Sequence, residues 1–346
     1  MPALAASWLG VFQVRWLHDM TSTAIAVGLP WPADDGRMAE MKLPIQAVVL
    51  VALCASVPSA LPANPAAGAA QVLFDDFSYQ NLDELEARGW TIRAAPGWPG
   101  IEKAVWKKEN VSFPADPAAP GNRLLRMTSA TDGTPARTTQ TQICQQRKFK
   151  EGTYAARVHF SDAPATGPGG DGVVESCYTI SPADVPTDPD YSECDFEYLP
   201  GGGWGQKGPA LFVTTWHSNT PLPDGSNDTL HDVVSGPQGG WHVLVLQVAA
   251  GQVRYFIDGR LIAEHGGKYA PRTVMSFNFN LWFTPEGVAP SRELRTYEEE
   301  IDWVYFEKDA VLSPEQVGQK VQAFRKSGVA HWDTVKPTGL PCPCNY

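Results

Sequence analysis

Three carboxylates alternate with apolar side chains in one short stretch of the sequence. Glu193, Asp195 and Glu197 are separated from one another by single residues, and the period of two in a β-strand places all three on one face. Like-charged neighbours on a sheet face repel one another, so stability alone does not favour this pattern. The alternation therefore indicates either a cleft that needs an acid and a base, or the solvated strand face of an acidic protein.

The spacing of the outer two carboxylates suits the hydrolysis of a glycosidic bond. In an extended strand, Glu193 and Glu197 lie about 13 Å apart at Cα. If their side chains lean inward over Asp195, the carboxyl groups can approach to about 5–5.5 Å, which is the separation in retaining glycosidases. Asp195 can then hold a proton or a hydrogen bond and drive the pKa values of the two glutamates apart.

Turn residues limit this stretch to the length of one strand. Pro189 and Asp190 precede it, and the sequence Pro-Gly-Gly-Gly at 200–203 follows it. On the opposite face, the same alternation predicts that Cys194, Phe196 and Tyr198 point into a core.

Composition and charge narrow the class of protein. The 346 residues are 43% hydrophobic, which is enough for one large all-β domain or two small ones. The net charge of −11 argues against binding to nucleic acid or to an anionic membrane through bulk charge. Twelve Trp and ten Tyr residues suit a carbohydrate binder, because flat rings stack on sugar faces, although core packing also uses such residues.

The N-terminal region has the proportions of a secretion signal that starts late. Met41 and Lys42 precede an apolar run at 45–57, which is followed by small residues and prolines at 58–70. The run is too short to span a bilayer. We expect cleavage after Ala63 or near Ala70, a secreted protein without a membrane anchor after cleavage, and a mostly disordered leader at 1–70.

Residues 71–310 have the pattern of a β-sandwich followed by one short C-terminal helix. Short alternating segments recur at regular spacing with almost no helical period, and Ala250-Gly251 and Asp258-Gly259 are hairpin turn signals. Ser313 and Gln316 form a capping box with Pro314 at the first helical position. We expect residues 311–346 to form this helix and a cysteine-containing tail that packs on the sandwich.

Five cysteines remain after removal of the leader: Cys144, Cys177, Cys194, Cys342 and Cys344. We expect a buried free thiol at Cys194, a disulfide between Cys144 and Cys177, and a tail held to the body by Cys342 and Cys344. No pair of histidines accompanies the cysteines at ligand spacing, so no metal-ligating residue is predicted.

Four segments together resemble glycoside hydrolase family 16, the lichenase and laminarinase group. Residues 192–199, Ser-Glu-Cys-Asp-Phe-Glu-Tyr-Leu, resemble the catalytic E-x-D-x-E strand of this family. Residues 152–158 resemble the strand that precedes it, 241–259 resemble a family hairpin that ends in Asp-Gly, and 300–306 resemble the closing D-W-V strand. Their order agrees with the family over roughly residues 71–308.

The resemblance implies a concave jelly roll and a retaining endo-glycosidase that hydrolyses a β-glucan with β-1,3 or mixed β-1,3/1,4 linkages. Glu193 would be the nucleophile, Glu197 the acid/base, and Asp195 would assist between them. No cofactor would be required, a structural calcium ion on the convex face is possible, and the protein would be a monomer with a polysaccharide as its partner. The alternatives are a transglycosylase, a galactan-type hydrolase or a non-catalytic carbohydrate-binding module.

Further side chains are candidates for sugar contacts, and the alternative for each is core or rim packing, a structural hydrogen bond or, for Glu175, a position facing solvent. They lie on the strands or loops expected beside the acidic strand, and they are Trp204, Trp216, His217, Tyr178, Glu175, Asn280 and Trp282. Trp204 follows a glycine run and could stack on a sugar, and His217 could form a hydrogen bond to Asp195 or to a sugar hydroxyl. We expect Glu175 to lie on the cleft side of its strand, and Asn280 and Trp282 belong to a segment similar to the N-L-W segment of the family.

Overall fold

Two antiparallel sheets face each other across one core. The computed structural model describes residues 70–181, 188–285, 287–340, 342 and 344. In chain order, the strands in this part of the chain are β1 Val72–Asp75, β2 Trp90–Ile92, β3 Val105–Trp106, β4 Val111–Ser112, β5 Leu125–Thr131, β6 Thr139–Gln145, β7 Gly152–Phe160, β8 Val173–Ser181, β9 Ser192–Leu199, β10 Ala210–Trp216, β11 Thr229–Ser235, β12 Gly240–Ala249, β13 Gln252–Ile257, β14 Arg260–Gly266, β15 Ser276–Phe283, β16 Arg295–Lys308 and β17 His331–Asp333. The α-helices are α1 Leu82–Glu86 and α2 Pro314–Lys326, and short 3-10 turns span Lys108–Asn110, Pro135–Arg137 and Gly267–Tyr269.

The first sheet contains the acidic strand at its centre. Its strand order is β11-β10-β9-β8-β15-β6-β2, and every neighbouring pair is antiparallel. We call it the site sheet, and we call the face that carries Glu193, Asp195 and Glu197 the site face.

The second sheet has the order β14-β13-β12-β7-β16. The long strand β16 pairs with β5 through its first half and with β1 through its second half. A register shift between Ile301 and Trp303 marks the change of partner, so Asp302 lies at a bulge.

The inner faces of both sheets form the main core. In β9, the side chains of Cys194, Phe196 and Tyr198 belong to this core and are at most 3% exposed, as the alternation predicted. Each buried aromatic or aliphatic side chain of this size contributes about 1.5–3 kcal/mol relative to exposure, so a one-residue slip of β9 would be strongly unfavourable.

Helix α2 covers the outer face of the second sheet. Ser313 caps it with the predicted reciprocal bonds to Gln316, and Pro314 occupies its first turn. Val317 and Val321 are buried against the sheet, and the Phe324 ring stacks on Phe74 with centroids 4.7 Å apart. The all-β sandwich with a short C-terminal helix is therefore confirmed.

Both hairpin turns form where the sequence predicted them. Ala250 and Gly251 join β12 to β13 with φ values of 51° and 73°, and Asp258 and Gly259 join β13 to β14 with φ values of 50° and 81°. Two consecutive positive φ values are the conformation that matches strand twist in a two-residue loop.

The predicted disulfide between Cys144 and Cys177 is wrong. Cys144 is bonded to Cys344 instead, and Cys177 is a buried free thiol. Strand β15 lies between the strands of Cys144 and Cys177, and the register places these two side chains on opposite faces of the site sheet. Cys194 is a buried free thiol, as predicted, and the tail is held to the body through Cys344.

The predicted leader and signal, residues 1–70, fall outside the described residues except for Ala70. All described residues belong to one unit, Ala63–Tyr346. Within them, no helix combines the length and the hydrophobicity needed to cross a bilayer.

Candidate active site

The three carboxylates lie side by side in the middle of the site sheet. In the register, Trp216 and Ile180 flank Glu193, Thr214 and Tyr178 flank Asp195, and Phe212 and Ser176 flank Glu197. Strand β9 has two strands on one side and four on the other, so the carboxylates lie away from the edges of the sheet. Asp195 is 2% exposed, whereas Glu193 and Glu197 are partly exposed and accessible to a ligand.

Glu193 has one hydrogen-bond donor that the sequence analysis missed. The Tyr191 hydroxyl donates to Oε2 of Glu193, and the Tyr191 side chain is 7% exposed. A donor to the ionised carboxylate favours the charged form. The sequence signal for this contact is the spacing of two residues. Residues two apart lie on the same face of an extended strand, so Tyr191 and Glu193 share a face if the extended conformation begins at Tyr191.

Asp195 is held between the two neighbouring strands. Nε1 of Trp216 donates to its Oδ2 at 2.8 Å. On the other side, Asp195 is paired with Tyr178, whose hydroxyl accepts a hydrogen bond of 2.7 Å from Nε2 of Gln142. Trp216 and Tyr178 thus lie beside the trio, as expected for cleft residues.

Burial raises all three pKa values, and repulsion from a neighbouring carboxylate adds to the rise for Glu197 and Asp195. For Glu193, burial raises the pKa to about 7, and the Tyr191 hydrogen bond opposes the rise. For Glu197, burial and the charge of Glu193 raise the pKa to about 8. Burial, followed by the charges of both glutamates, raises the pKa of Asp195 well above its usual range, although the Trp216 hydrogen bond opposes this.

An aromatic cluster lies on the site face at the Glu197 end. Trp282 is the central residue of the cluster. The centroid of its ring lies 6.1 Å from that of Trp98 and 6.4 Å from that of Trp204. The rings of Trp204 and Phe212 pack edge to face with centroids 5.3 Å apart. Trp98 is 74% exposed and Trp204 is 46% exposed, so their rings are available to a ligand. Trp204 takes a left-handed backbone conformation with φ 46°. Trp98 was missed as a site residue because it comes from a distant Pro/Gly-rich loop.

Asn280 lies on the site face two strands from Glu197. Its cross-strand partner is Ser176, which in turn is paired with Glu197, and the Ser176 hydroxyl donates to Oδ1 of Asn280. Asn280 is 5% exposed. The structure therefore brings Asn280 and Trp282 to the same face as the carboxylates.

His217 belongs to a supporting network at the start of β9. Its Nδ1 lies 2.9 Å from Oδ2 of Asp228, and its Nε2 lies 3.2 Å from Nη1 of Arg272. Arg272 also donates to the carbonyl oxygens of Tyr191 and His217 at 2.6 and 2.5 Å. Of the two partners considered for His217, Asp195 is bonded by Trp216 instead. His217 and Arg272 together fix the backbone beside Glu193.

The expected cleft-side position of Glu175 is wrong. Glu175 is paired with Tyr198, whose side chain lies in the core, and Glu175 is 0% exposed. Its Oε2 accepts from the backbone N–H of Ser161 at 2.9 Å. Burial raises the pKa of the Glu175 carboxyl group well above its usual range. The period of two explains the error, since Glu175 and Tyr178 are three residues apart and cannot share a face.

The described side chains offer few ligands for a calcium ion. Calcium prefers six to eight oxygen ligands. Among the described residues, one group of three potential ligand side chains has its ligand atoms within 4.8 Å of one another. It consists of Cys144, Cys342 and Cys344, which supply sulfur and not oxygen. On the outer side, both oxygens of Asp302 are occupied by Arg157 and Arg325, at 2.7 and 2.5 Å. Asp302 is therefore not placed to bind a cation, and a structural calcium remains a prediction.

Comparisons with known proteins agree with this fold. Endo-1,3-1,4-beta-glycanase ExoK of Rhizobium meliloti (strain 1021) is 27% identical over 215 residues, which are 61% of this chain and 68% of that protein. The Bacteroides ovatus mixed linkage glucan GH16 structure in complex with a G4G4G3G product is 16% identical, with a TM-score of 0.50 over 67% of this chain and 98% of that one. LamAcat of Zobellia galactanivorans is 17% identical, with a TM-score of 0.49 over 69% and 97% of the two chains.

The likeness to this family depends on the sequence relative and the strand motifs, because solved structures at these identities show a shared fold alone. A search of protein-family models finds none that matches. The acidic strand, the strand before it, the Asp-Gly hairpin and the closing strand occur as β9, β7, β12–β13 and β16, in the order that the resemblance requires. The chain thus resembles the lichenase and laminarinase group of glycoside hydrolase family 16 in its strand motifs, in its fold and in its sequence relative.

Proposed function

We propose that the protein is an endo-acting β-glucan hydrolase that retains the anomeric configuration. The observation that supports this most strongly is the arrangement of Glu193, Asp195 and Glu197 on one accessible face with unequal pKa values. A binding module has no use for three carboxylates whose repulsion costs stability.

The resemblance to the family assigns the roles of the two glutamates, and the order of their pKa values agrees with it. Glu193, with the lower pKa of about 7 and the Tyr191 donor, is the group that ionises first. Glu197, with a pKa of about 8, keeps its proton longer. Paired groups whose environments separate their pKa values divide into a base or nucleophile and an acid.

Two displacements then complete the reaction. The Glu193 carboxylate attacks the anomeric carbon while Glu197 gives its proton to the departing glycosidic oxygen, and a covalent glycosyl ester forms. The ionised Glu197 next takes a proton from water, the water oxygen attacks the same carbon, and Glu193 leaves as a carboxylate. The protonated Asp195 donates a hydrogen bond to a neighbouring glutamate, and Trp216 holds the Asp195 carboxyl group in place.

The β-glucan assignment, with β-1,3 or mixed β-1,3/1,4 linkages, comes from the relatives. The Rhizobium meliloti relative is named a 1,3-1,4-beta-glycanase. The partly exposed rings of Trp98 and Trp204 suit the flat faces of pyranose rings, because CH-rich sugar faces stack on aromatic rings. Exposed rings along the site face suit internal cleavage of a long chain.

We also propose that the protein is exported and acts as a monomer. The disulfide between Cys144 and Cys344 is of the kind that persists in oxidising compartments. The apolar run at 45–57 supports the same assignment.

The decisive experiment combines stereochemistry with two variants. Proton NMR of the first product from lichenan or laminarin should show the β-anomer before mutarotation. Glu193→Gln and Glu197→Gln should each lose hydrolysis by several orders of magnitude while still binding oligosaccharide. Glu264→Gln is the matched control, since Glu264 is an exposed partner of Arg254 away from the site.

Each outcome decides between the proposal and one alternative. An initial α-anomer would mean inversion and carboxyl groups too far apart for the proposed mechanism. Oligosaccharide binding without hydrolysis by the unchanged protein would identify a binding module. Activity on agarose or carrageenan but not on glucans would identify a galactan-type hydrolase, and products longer than the substrate would identify a transglycosylase.

A further inference from the structure

The C-terminal tail is fastened onto the same sheet face that carries the three carboxylates. Across the site sheet, the register places Asp195, Tyr178, Asn278 and Cys144 in one row on four successive strands. Cys144 is bonded to Cys344 of the tail. At about 4.8 Å between neighbouring strands, this disulfide lies about 14 Å from Asp195 along the row.

Several further contacts hold the tail in this place. The Thr338 hydroxyl donates to the carbonyl oxygen of Arg147, just beyond β6. The Cys342 thiol lies 3.5 Å from the carbonyl oxygen of Cys144. Cys344 itself is 0% exposed, so the tail is packed against the body at this residue.

Asn278 is an unusual residue in this row. It lies between Tyr178 and Cys144 and is 0% exposed, yet neither its Nδ2 nor its Oδ1 has a hydrogen-bond partner within the described part of the chain. A buried amide without partners costs about 1–3 kcal/mol. Such a group on a ligand-binding face suggests that its natural partner is something other than the protein.

We propose that Asn278 is a sugar-binding residue and that the tail, held by the Cys144–Cys344 disulfide, covers it. The tail would then shorten the substrate-binding region of the site face on the β6 side. The ligand would be a pyranose residue of the same glucan chain, which donates one hydroxyl to Oδ1 and accepts from Nδ2. This inference rests on the proposed function. Asn278 lies two strands, or about 10 Å, from the strand of Asp195, so only a substrate that extends beyond the reacting sugar would reach it.

Cys342 determines which substitutions release the tail from Cys144. The three sulfurs of Cys144, Cys342 and Cys344 lie within 4.8 Å of one another. If Cys344 alone were replaced, Cys342 could form the bond to Cys144 and keep the tail in place. The test therefore uses the double variant Cys342→Ser/Cys344→Ser. Cys342→Ser alone is the matched control, because it leaves the observed disulfide intact.

The assay compares short and long substrates. In the double variant we expect kcat/KM for long glucan to rise about tenfold, equivalent to about 1.4 kcal/mol, with kcat/KM for the shortest cleaved oligosaccharide unchanged. Adding Asn278→Leu to the double variant should abolish the gain. Dithiothreitol treatment of the unaltered protein, with two thiols released for one dithiol oxidised, should reproduce the gain without any substitution that could impair folding.

The outcomes separate this inference from the proposed function. If kcat/KM for long glucan is the same with the disulfide intact and with the tail released, the inference is overturned and the proposed function is unaffected. Thiol titration verifies the release. A gain that survives Asn278→Leu would overturn the assignment of Asn278. If no glucan is hydrolysed at all, the proposed function fails, and calorimetric binding of long against short glucan oligosaccharides to the two tail states still decides the inference.

Discussion

Replacing Tyr191 by Phe removes the hydrogen bond that favours the ionised form of Glu193. The Tyr191 hydroxyl donates to Oε2 of Glu193, and this bond opposes the effect of burial on the Glu193 pKa. A hydrogen bond to a charged group is worth about 1.5–3 kcal/mol, and one pKa unit corresponds to about 1.4 kcal/mol. We therefore expect the Glu193 pKa to rise from about 7 by at least about one unit.

The loss of activity should depend on pH in a defined way. The reactive form has Glu193 ionised and Glu197 protonated. With pKa values of about 7 and about 8, this form is roughly 60% of the protein at about pH 7.5 and falls to roughly 20% after the substitution. The expected loss in kcat/KM is thus about threefold at about pH 7.5, about tenfold at about pH 5.5, and negligible above about pH 9.

The measurement is the pH profile of kcat/KM on lichenan for the two proteins. Tyr305→Phe is the control, because Tyr305 donates a similar hydrogen bond to Glu307 on the outer face of the second sheet. An equal loss at every pH, or an acidic limb that does not move, would refute the assignment of the lower pKa to Glu193.

Two other substitutions test the aromatic cluster and the core. Trp204→Ala should raise KM for glucan about fivefold with little change in kcat, because the ring stacks on a sugar that does not react and such a contact is worth about 1 kcal/mol. A fall in kcat with KM unchanged would contradict this. Arg295→Met should lower the free energy of unfolding in urea by about 3–5 kcal/mol, since it leaves the Asp171 carboxylate buried without its partner, and both side chains are 0% exposed. Lys108→Met breaks an exposed pair and should cost at most about 1 kcal/mol; equal losses in the two variants would count against the burial argument.

The arrangement of the trio was predictable because it depends on a local rule. Once residues 192–199 form a strand, the period of two fixes Glu193, Asp195 and Glu197 on one face and Phe196 on the other. Helix α2 and the two hairpins were predictable for the same reason, because caps and turns are decided by residues within about four positions of one another.

The period of two also shows where local reasoning stops. On β8 it states that Glu175 and Tyr178 lie on opposite faces, but it does not state which of them faces the cleft. That choice is made by the register with β9, where Tyr178 lies opposite Asp195 and Glu175 lies opposite the buried Tyr198. Sheet register depends on packing across the core, which no short stretch of sequence encodes.

By itself, then, the sequence determined the strand faces, the turns, the helix cap and the carboxylate trio. Only the tertiary structure decided which residues from distant segments join them: Arg272 on the Tyr191 carbonyl, Trp98 beside Trp282, and Cys344 on Cys144 across a separation of 200 residues. These contacts depend on how the loops and the tail return to the sheet. Closing a long loop costs little more entropy than closing a shorter one, so spacing along the chain carries almost no information about such partners.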